Sequence, residues 1–344
     1  MNEQEKYDWM VYVSCMTFNQ ASYIVDAMNG FTMQDTTFPF VCAIVDDAST
    51  DGEQGVIKNF FNEHFDLEDK NIVRHEETDD YVLMFARHKT NLNCYFAVIY
   101  LKYNHYSIKK SKTPYISQWR DNAKYIALCE GDDYWIAADK LQKQVILLEK
   151  NQNCVLTYTS TEVVNEKGKK LIVRNSKVYS GNCLKQLIRK GNFISTVSVC
   201  YRSEAEKGWE EVKNSIPFPV MMGDKQLWIY LSSKGVFEYI PKPMVCYRIL
   251  KVSASHSPEI NKGIEFLNNG EEISIYFNNL YNVGVPEHYI RKKYSASRIR
   301  HALKYSWCDV WTVASHEFRL FPSNFLNVSI LLLFFLRIVG IKRK

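Results

Sequence analysis

Three short apolar runs in the first half of the chain constrain the fold more than any other feature. Met10 to Met16, Phe40 to Val45 and Tyr125 to Cys129 are each nearly continuous and rich in β-forming residues. Strands that are buried on both faces of a parallel sheet have this pattern. Between the first two runs, Tyr23 to Gln34 carries apolar residues at the i, i+3, i+4 and i+7 spacing of an amphipathic helix. This order predicts an open α/β sheet with right-handed crossovers.

The later segments extend the same alternation and then change character. We predict a second helix in Val56 to Phe65, a short strand at Asn71 to Arg74, and an irregular excursion over residues 80 to 120 with a helix at Tyr95 to Tyr103. A further helix, Lys140 to Asn151, would be capped by Asp139 and ended by Asn151. Residues 153 to 202 alternate β-like runs with turns, and residues 259 to 320 are mainly helical in pattern.

Composition excludes several classes of protein. The chain has 344 residues, of which 46% are hydrophobic and 24% are charged, so disorder is excluded as its main state. The net charge of +5 is too small to indicate nucleic-acid binding without a basic cluster. The sequence contains neither G-x-G-x-x-G nor G-x-x-x-x-G-K-[ST], which disfavours a dehydrogenase or a P-loop enzyme.

The cysteines and the N-terminus indicate the compartment. There are nine Cys, no C-x-x-C pair, and several of the nine lie inside apolar runs. Buried free thiols in a reducing compartment explain this pattern better than disulfides or zinc. The polar start of the chain has no apolar segment of the kind found in secretory signals. We therefore expect a cytoplasmic protein, at the cytosolic face of the inner or plasma membrane.

The C-terminal segment leaves two alternatives open. Phe325 to Ile341 is predominantly apolar, is interrupted by Asn327, Ser329 and Arg337, and is followed by the basic run 342–344. It is either a buried terminal helix or a membrane-surface or marginally inserted anchor whose basic end stays in the cytosol. Because Ile330 to Leu336 leaves no polar face over two turns, the sequence favours contact with lipid.

Polar residues follow each of the three predicted strands, where ligands bind in open α/β sheets. Glu130 and Asp132 are spaced to lie on one side of an extended segment, where both could approach a Mg²⁺ or Mn²⁺ ion that holds a diphosphate. The alternative is a solvated acidic turn that caps the next helix. Asp46 and Asp47 either hold a ligand's hydroxyls or base, or belong to an ordinary turn that opens a helix.

Five motifs in order resemble those of the family 2 glycosyltransferases with the GT-A fold. They are Ser14 to Gln20, Val45 to Gly52, Glu130 to Trp135, Lys140 to Gln144, and Gly223 to Trp228 followed by Tyr247-Arg248. The resemblance runs from about Val11 to Arg248. It implies a Rossmann-like, mainly parallel sheet flanked by helices, with a C-terminal helical extension.

The resemblance also implies roles for individual residues in the donor site. The nucleoside part of a nucleotide sugar would be held by Thr17, Asn19, Asp46 and Asp47. Glu130 and Asp132 stand where the family carries its DxD-type motif, with Asp132 as the ligand of Mn²⁺ or Mg²⁺. Arg248 either contacts the diphosphate or pairs with a neighbouring acid.

Other residues are implied on the acceptor side. Asp224 falls where the family places the catalytic base, which takes a proton from the acceptor hydroxyl during an inverting displacement; the alternative is a helix-capping Asp. Trp135 and Trp228 either stack on an acceptor sugar or pack in the core.

The sequence departs from the family pattern at four places. Glu130 replaces the usual first Asp of the metal motif, and Ala137-Ala138 replaces a common Asp-Pro pair. Leu250 stands where many members carry a His, and His256 is a possible substitute. The segment of residues 90 to 120 is longer than the corresponding segment typical of the family, which predicts a lid or an acceptor-specific insertion.

The expected protein is a metal-dependent, inverting, hexosyltransferase-type enzyme. It would move a sugar from a nucleotide sugar to a glycan or lipid-linked acceptor in surface polysaccharide synthesis. The expected domains are a glycosyltransferase domain (1–250), a helical extension (251–321) and a membrane-associating tail (322–344). The alternative is a glycosyltransferase-like module that binds nucleotide or glycan without turnover.

Overall fold

The computed structural model describes residues 7–174, 179–250 and 259–338, which divide between two compact units. Unit 1 is formed by Met1–Gly181, Ile194–Lys207 and Lys234–Ile249, and unit 2 by Asn182–Phe193, Gly208–Ser233 and Leu250–Lys344. The predicted division at residue 250 therefore differs from the structural one, because two stretches before that point group with the C-terminal helices.

Unit 1 is an α/β unit built on a single mixed sheet. Its strands are β1 (Trp9–Thr17), β2 (Phe40–Asp46), β3 (Phe65–Asp66), β4 (Arg74–Glu77), β5 (Tyr81–His88), β6 (Cys94–Leu101), β7 (Ala123–Leu128), β8 (Tyr134–Trp135), β9 (Cys154–Asn165), β10 (Lys170–Arg174), β11 (Cys200–Arg202) and β12 (Val236–Ile249). Its helices are α1 (Ile24–Thr32), α2 (Glu53–His64), α3 (Thr113–Arg120) and α4 (Lys140–Lys150).

The described strands run in the order β3-β5-β6-β2-β1-β7-β11-β9-β12-β8, with β4 paired to β5 and β10 to β9. The pairs β6-β2, β2-β1 and β1-β7 are parallel, and β9 and β12 form a further parallel pair. The other pairings are antiparallel. The α/β fold class is thus confirmed, with a parallel centre inside a mixed sheet.

The apolar runs form the centre of this sheet. Every residue of β2 is buried, as expected for a strand that is covered on both faces. The predicted stripe of α1 is buried as well, including Ile24, Met28 and Phe31. The prediction that these apolar runs form covered, parallel strands is therefore confirmed.

The predicted helix at Tyr95 to Tyr103 is wrong. This stretch contains strand β6, which pairs in parallel with β2 and antiparallel with β5. Seven of its eight residues are buried. A short, fully buried apolar run has no polar face, so periodicity cannot distinguish a strand from a helix there.

Two smaller expectations changed in detail. The predicted strand at Asn71 to Arg74 begins only at Arg74, as β4. Asp139 does occupy the N-cap position of α4, but its side chain makes no cap hydrogen bond. It pairs instead with Lys143 at 2.5 Å and Lys242 at 3.4 Å.

Unit 2 is helical in its described part. Its helices are α5 (Leu184–Lys190), α6 (Trp209–Asn214), α7 (Gly223–Lys234), α8 (Ile260–Leu280), α9 (Glu287–Ala302), α10 (Trp307–Leu320) and α11 (Val328–Ile338). Buried Arg298 of α9 donates to Glu271 of α8 at 2.7 Å and to Glu317 of α10 at 2.6 Å. This ion network holds three helices together, because each buried charge has a partner.

The nine cysteines are all free thiols, and eight of them are buried. Cys308, the second residue of α10, is the exposed one. The expectation of buried thiols is confirmed for the five that lie in apolar runs (Cys15, Cys42, Cys129, Cys200 and Cys246).

In the part of the chain that the structure describes, no helix combines the length and the hydropathy that crossing a bilayer requires. Helix α11 is formed from the predicted apolar tail, and its Ile330 is buried against α9 and α10.

Substituting one glycine in α1 and one in α2 tests how tightly α1 packs on the sheet, because only the first is in close contact with a strand. A methyl group on Gly30 would lie 2.9 Å from the backbone nitrogen of Trp135 and 3.0 Å from its carbonyl oxygen, whereas one on Gly55 of α2 would meet nothing within 4 Å. We expect Gly30→Ala to lower the free energy of unfolding by about 1–3 kcal/mol, since the backbone of β8 must move. Gly55→Ala should raise it by up to about 1 kcal/mol. Urea denaturation measures both, and equal effects would contradict this packing.

Candidate active site

Three carboxylates come together directly after β7. One ligand oxygen from each of Glu130, Asp132 and Asp133 lies within 4.8 Å of the others. Glu130 is exposed, Asp132 is half-buried, and Asp133 is only 2% exposed. Burial raises the pKa of Asp132, and burial together with the Asp132 carboxylate raises the pKa of Asp133 well above its ordinary value.

This donor set fits a hard divalent cation. Mg²⁺ takes oxygen ligands at about 2.0–2.1 Å, so two ligands of one ion lie up to roughly 4 Å apart. The three oxygens lie within 4.8 Å of one another, so a small adjustment of the side chains would bring them to that spacing. Glu130 and Asp132 are the members that a ligand can reach, because Oδ1 of buried Asp133 accepts the backbone N–H of Arg248 at 2.8 Å. A cation would relieve the repulsion among the three charges.

The acidic loop is seated directly on the end of β1. A methyl group on Gly131 would overlap Oγ1 of Thr17 and lie 2.5 Å from Oε1 of Gln20. The Gly131 N–H donates to the carbonyl of Met16 at 3.2 Å. Only glycine fits this close approach, so Gly131 determines where Glu130 and Asp132 are held.

Glu53 holds the surface on which that loop rests, and it is not among the site residues predicted from the sequence. Its buried carboxylate accepts from the Thr17 hydroxyl, from Gln20 N at 2.8 Å and from Ser49 Oγ at 2.8 Å. Burial raises the pKa of Glu53. One side chain therefore connects the loop after β1, the loop after β2 and the first turn of α2. In the sequence, the indication of this contact is that Glu53 follows Ser49 by four residues.

Asn19 exchanges hydrogen bonds with the loop after β2. Oδ1 of Asn19 accepts Thr50 N at 2.8 Å, and Asn19 N donates to Ser49 Oγ at 2.9 Å. Asn19 has a φ of 54° and Ala48 a φ of 60°, which are left-handed conformations that Asn tolerates better than most residues. The exposed side chain of Asn19 thus lies where the two loops meet.

Asp46 lies at the end of β2 and is fully buried. Its Oδ1 accepts Ser49 N at 3.0 Å and Gln54 Nε2 at 2.6 Å. The carboxylate therefore shapes the turn that enters α2.

Asp47 anchors the segment that follows β6. Its carboxylate accepts the backbone N–H of His105 at 2.8 Å and of Tyr106 at 3.1 Å, and pairs with Lys112 Nζ at 2.9 Å. Asn104 also donates to the Asp47 carbonyl at 3.1 Å. Residues 104 to 112, the part of the predicted excursion between β6 and α3, are thereby fixed to the carboxyl end of β2.

Arg248 is paired with acid and backbone groups. Its guanidinium lies 2.6 Å from Asp26 and donates to the carbonyl of Asp132 at 2.8 Å. The rings of Tyr23 and Tyr134 lie 4.7 Å and 5.1 Å from its central carbon. Of the two alternatives from sequence, the structure shows the pairing with a neighbouring acid, and this pairing also fixes the acidic loop to β12.

Trp135 and Trp228 are both in core positions, 2% and 0% exposed. The Trp135 indole donates to the Val197 carbonyl at 3.1 Å and packs edge-on against Phe31. For both residues the structure shows the core alternative, since neither indole presents a face to a ligand.

Asp224 belongs to unit 2, in the first turn of α7. Its Oδ2 accepts Asn192 Nδ2 at 2.8 Å, and its Oδ1 accepts Lys225 N at 2.7 Å. The buried amine of Lys225 donates to Ser274 and Tyr294, each at 2.6 Å. These contacts tie the start of α7 to α8 and α9, so the Asp224 carboxylate has a defined orientation.

The structure therefore brings most predicted residues to one edge of unit 1. Seven of them lie in or next to the loops at the carboxyl ends of β1, β2, β7 and β12. They are Thr17, Asn19, Asp46, Asp47, Glu130, Asp132 and Arg248. Asp224 and Trp228 lie in unit 2. His256 lies outside the described residues.

The anchor at Asp47 can be tested by removing its charge. Asp47→Asn replaces one acceptor oxygen by an amide that opposes an N–H donor or Lys112, and leaves that lysine without its acid. We expect the free energy of unfolding to fall by about 2–4 kcal/mol and hydrogen exchange to rise in residues 104–112. Asp8→Asn, at an exposed position, is the matched control. Unchanged exchange in residues 104–112 would show that Asp47 is not their anchor.

Comparison with known proteins gives partial relationships. No protein-family model matches the chain. Uncharacterised proteins of Mycobacterium bovis and Mycobacterium tuberculosis are 28% identical over 238 residues, which is 68% of this chain and 57% of theirs, so the chain spans little more than half the length of these relatives. An uncharacterised glycosyltransferase of Rickettsia felis is 31% identical over 127 residues, 37% of this chain and 20% of that protein.

Two solved structures are loosely similar. S. aureus TarS (residues 1–349) in complex with UDP-GlcNAc has a TM-score of 0.48 at 15% identity, covering 88% of this chain and 75% of that one. A mannosyltransferase from Pyrobaculum calidifontis in complex with GDP-Man and Mn²⁺ has a TM-score of 0.48 at 12% identity, covering 97% and 87%. Because both TM-scores are below 0.5, the fold assignment rests on the sheet order described above and not on these two structures. The chain is thus an α/β protein similar in part of its sequence to a glycosyltransferase of Rickettsia felis.

Proposed function

We propose that this protein is a metal-dependent, inverting glycosyltransferase that uses a nucleotide sugar. The observation that carries the proposal is the acidic loop. One oxygen from each of three carboxylates lies within 4.8 Å of the others at the carboxyl ends of the parallel strands, in contact with the loop after β1. Ligands bind at this edge in open α/β sheets. The partial similarity to a glycosyltransferase of Rickettsia felis supports the same class.

The donor site would combine direct and indirect contacts. Exposed Asn19 would contact the nucleoside, while Thr17, Asp46 and Asp47 would shape the nucleoside pocket through the loops that they hold. Glu130 and Asp132 would hold Mn²⁺ or Mg²⁺, which when bound neutralises negative charge on a departing diphosphate. Arg248 would act as a positioning residue, because its donors hold the acidic loop.

Asp224 would be the catalytic base. Its carboxylate would take the proton of the acceptor hydroxyl as that oxygen bonds to the anomeric carbon. The bond from this carbon to the diphosphate would break at the same time, with the electron pair leaving on the diphosphate oxygen. A single displacement of this kind inverts the configuration. The hydrogen bond from Asn192 supports the role, since it fixes the direction of the carboxylate.

The acceptor would be a glycan or a lipid-linked glycan in surface polysaccharide synthesis. A hexose donor, a place at the cytosolic face of the membrane and attachment through the apolar C-terminal segment are parts of the same proposal. The apolar side chains that α11 exposes support the attachment. A glycosyltransferase-like module without turnover is the competing function, favoured by Leu250 at a position where many members of the resembled family carry His.

A panel of nucleotide sugars tests the reaction class without a known acceptor. The chain is incubated with uridine- and guanosine-diphosphate sugars and Mn²⁺ or Mg²⁺, and release of nucleoside diphosphate is measured. We expect slow, metal-dependent hydrolysis of at least one donor, which chelation abolishes. Nucleotide binding by calorimetry without any release, with or without glycan acceptors, would instead support the binding module.

Asp132→Asn tests the metal ligand. We expect the affinity for Mn²⁺, measured by calorimetry in the presence of nucleoside diphosphate, to fall by about tenfold or more, because one of the two reachable carboxylates is lost. Asp79→Asn is the control, since Asp79 is an exposed acid of the same unit. Equal Mn²⁺ affinity in the wild type and Asp132→Asn would exclude this site.

Asp224→Asn tests the base separately. Transfer to an acceptor should fall by about 10²-fold or more, while the affinities for Mn²⁺ and donor stay unchanged. Glu265→Gln, at an exposed position on α8, is the control in the same unit. Full transfer activity in Asp224→Asn would assign that residue to helix capping.

A further inference from the structure

Helix α11 has one face packed on unit 2. Ile330 is fully buried in a cluster with Ile299, Val310 and Ala314, and Leu333 and Phe334 pack against the same cluster. These positions follow the i, i+3, i+4 spacing of one helical face. The apolar tail is therefore a docked helix of unit 2.

Arg337 extends this docked face. Its guanidinium donates to the carbonyls of Leu303 and Tyr305, just beyond the C-terminal end of α9. Cationic donors are favourable at that end, where helix carbonyls lack partners. The same guanidinium lies 4.6 Å from the ring of Trp307. The one cation of the described part of α11 thus serves to hold the helix in place.

The opposite face of α11 is apolar and exposed. Leu331, Leu332 and Phe335 are 49%, 52% and 60% exposed. A surface helix of a soluble protein normally turns polar residues outward. Three large exposed apolar side chains on one face therefore indicate a surface that binds a partner or a membrane.

Helix α10 carries two exposed tryptophans, and one of them borders α11. Trp307 and Trp311 lie one turn apart and are 40% and 62% exposed. The ring of Trp307 lies 6.3 Å from that of Phe334, so the indole borders α11. We call Trp307, Trp311, Leu331, Leu332 and Phe335 the apolar face. Indoles are enriched at membrane–water interfaces because one end is apolar and the other donates a hydrogen bond.

The charge of the surrounding sequence distinguishes two possible partners of the apolar face, a second copy of this chain and a lipid surface. Residues 307–344, which contain the whole apolar face, carry five basic residues and two acidic ones, Asp309 and Glu317, for a net charge of +3. The basic residues are Arg319, Arg337, Lys342, Arg343 and Lys344. Two copies of this region would repel each other, whereas anionic lipid headgroups would attract each one.

We propose that the apolar face adsorbs in the plane of an anionic phospholipid surface, with Trp307 and Trp311 as interfacial anchors. This inference deepens the membrane attachment proposed above by assigning it to two helices and to a class of lipid. It does not need catalysis, and no described helix is long and apolar enough to span a bilayer. Adsorption in the plane leaves the buried face of α11 on unit 2.

Vesicle binding of the full chain tests the proposal. Co-sedimentation is measured with phosphatidylcholine vesicles that contain about 30% phosphatidylglycerol, and with pure phosphatidylcholine. We expect binding to the anionic vesicles to be at least about tenfold tighter, and to weaken as salt is raised. Trp307→Ala/Trp311→Ala should bind about tenfold less tightly, because two interfacial side chains are lost. Tyr289→Ala, an exposed aromatic roughly 20 Å along α9 from Leu303, is the control that should leave binding unchanged.

A second variant separates loss of binding from loss of folding. Leu332→Asp/Phe335→Asp changes only exposed side chains, so its circular dichroism and thermal midpoint should match those of the wild type while vesicle binding is lost. No wild-type binding to anionic vesicles, or wild-type binding by both double variants, would overturn the proposal. A wild-type dimer that either double variant dissociates would also overturn it, by assigning the face to a second copy. Because no donor or acceptor is present, failure here is distinguishable from failure of the proposed reaction.

Discussion

The close contact between Gly131 and the end of β1 is the constraint on which the candidate site depends. It brings the acidic loop against Thr17 and Gln20, and Glu53 holds those two residues to the loop after β2. Asp133 and Arg248 fix the other side of the same loop to β12. The ends of four strands, β1, β2, β7 and β12, are thereby held together at one edge of the sheet. Preorganised carboxylates cost no rearrangement when a cation arrives, which is what an electrostatic site requires.

The centre of the fold and the location of the site could be predicted because both depend on local sequence. Continuous apolar runs predict covered strands, and the polar residues that follow them must meet at one edge. Glu53 and Asp133 were missed because their importance comes from partners such as Thr17 and Arg248, which are 36 and 115 residues away in sequence. The strand β6 was missed because a buried run without a polar face carries no period to read.

Residues with two chemical uses could not be resolved from sequence either. An arginine near the end of a strand can bind a diphosphate or pair with an acid, and only the structure places Asp26 2.6 Å from Arg248. A tryptophan beside an acidic loop can stack on a sugar or fill the core, and burial places Trp135 in the core. The grouping of residues 208–233 with the C-terminal helices is likewise a property of packing rather than of the sequence motifs.

The distribution of the thiols has a practical consequence. All nine cysteines lie in the described part of the chain, and Cys308 is the exposed one, adjacent to Trp307. A maleimide dye or nitroxide would therefore label the native protein at one position, without engineered substitutions. Its emission or spin relaxation would report the local polarity beside the first turn of α10. The one exposed thiol is thus next in sequence to one of the two tryptophans proposed to lie at the lipid surface.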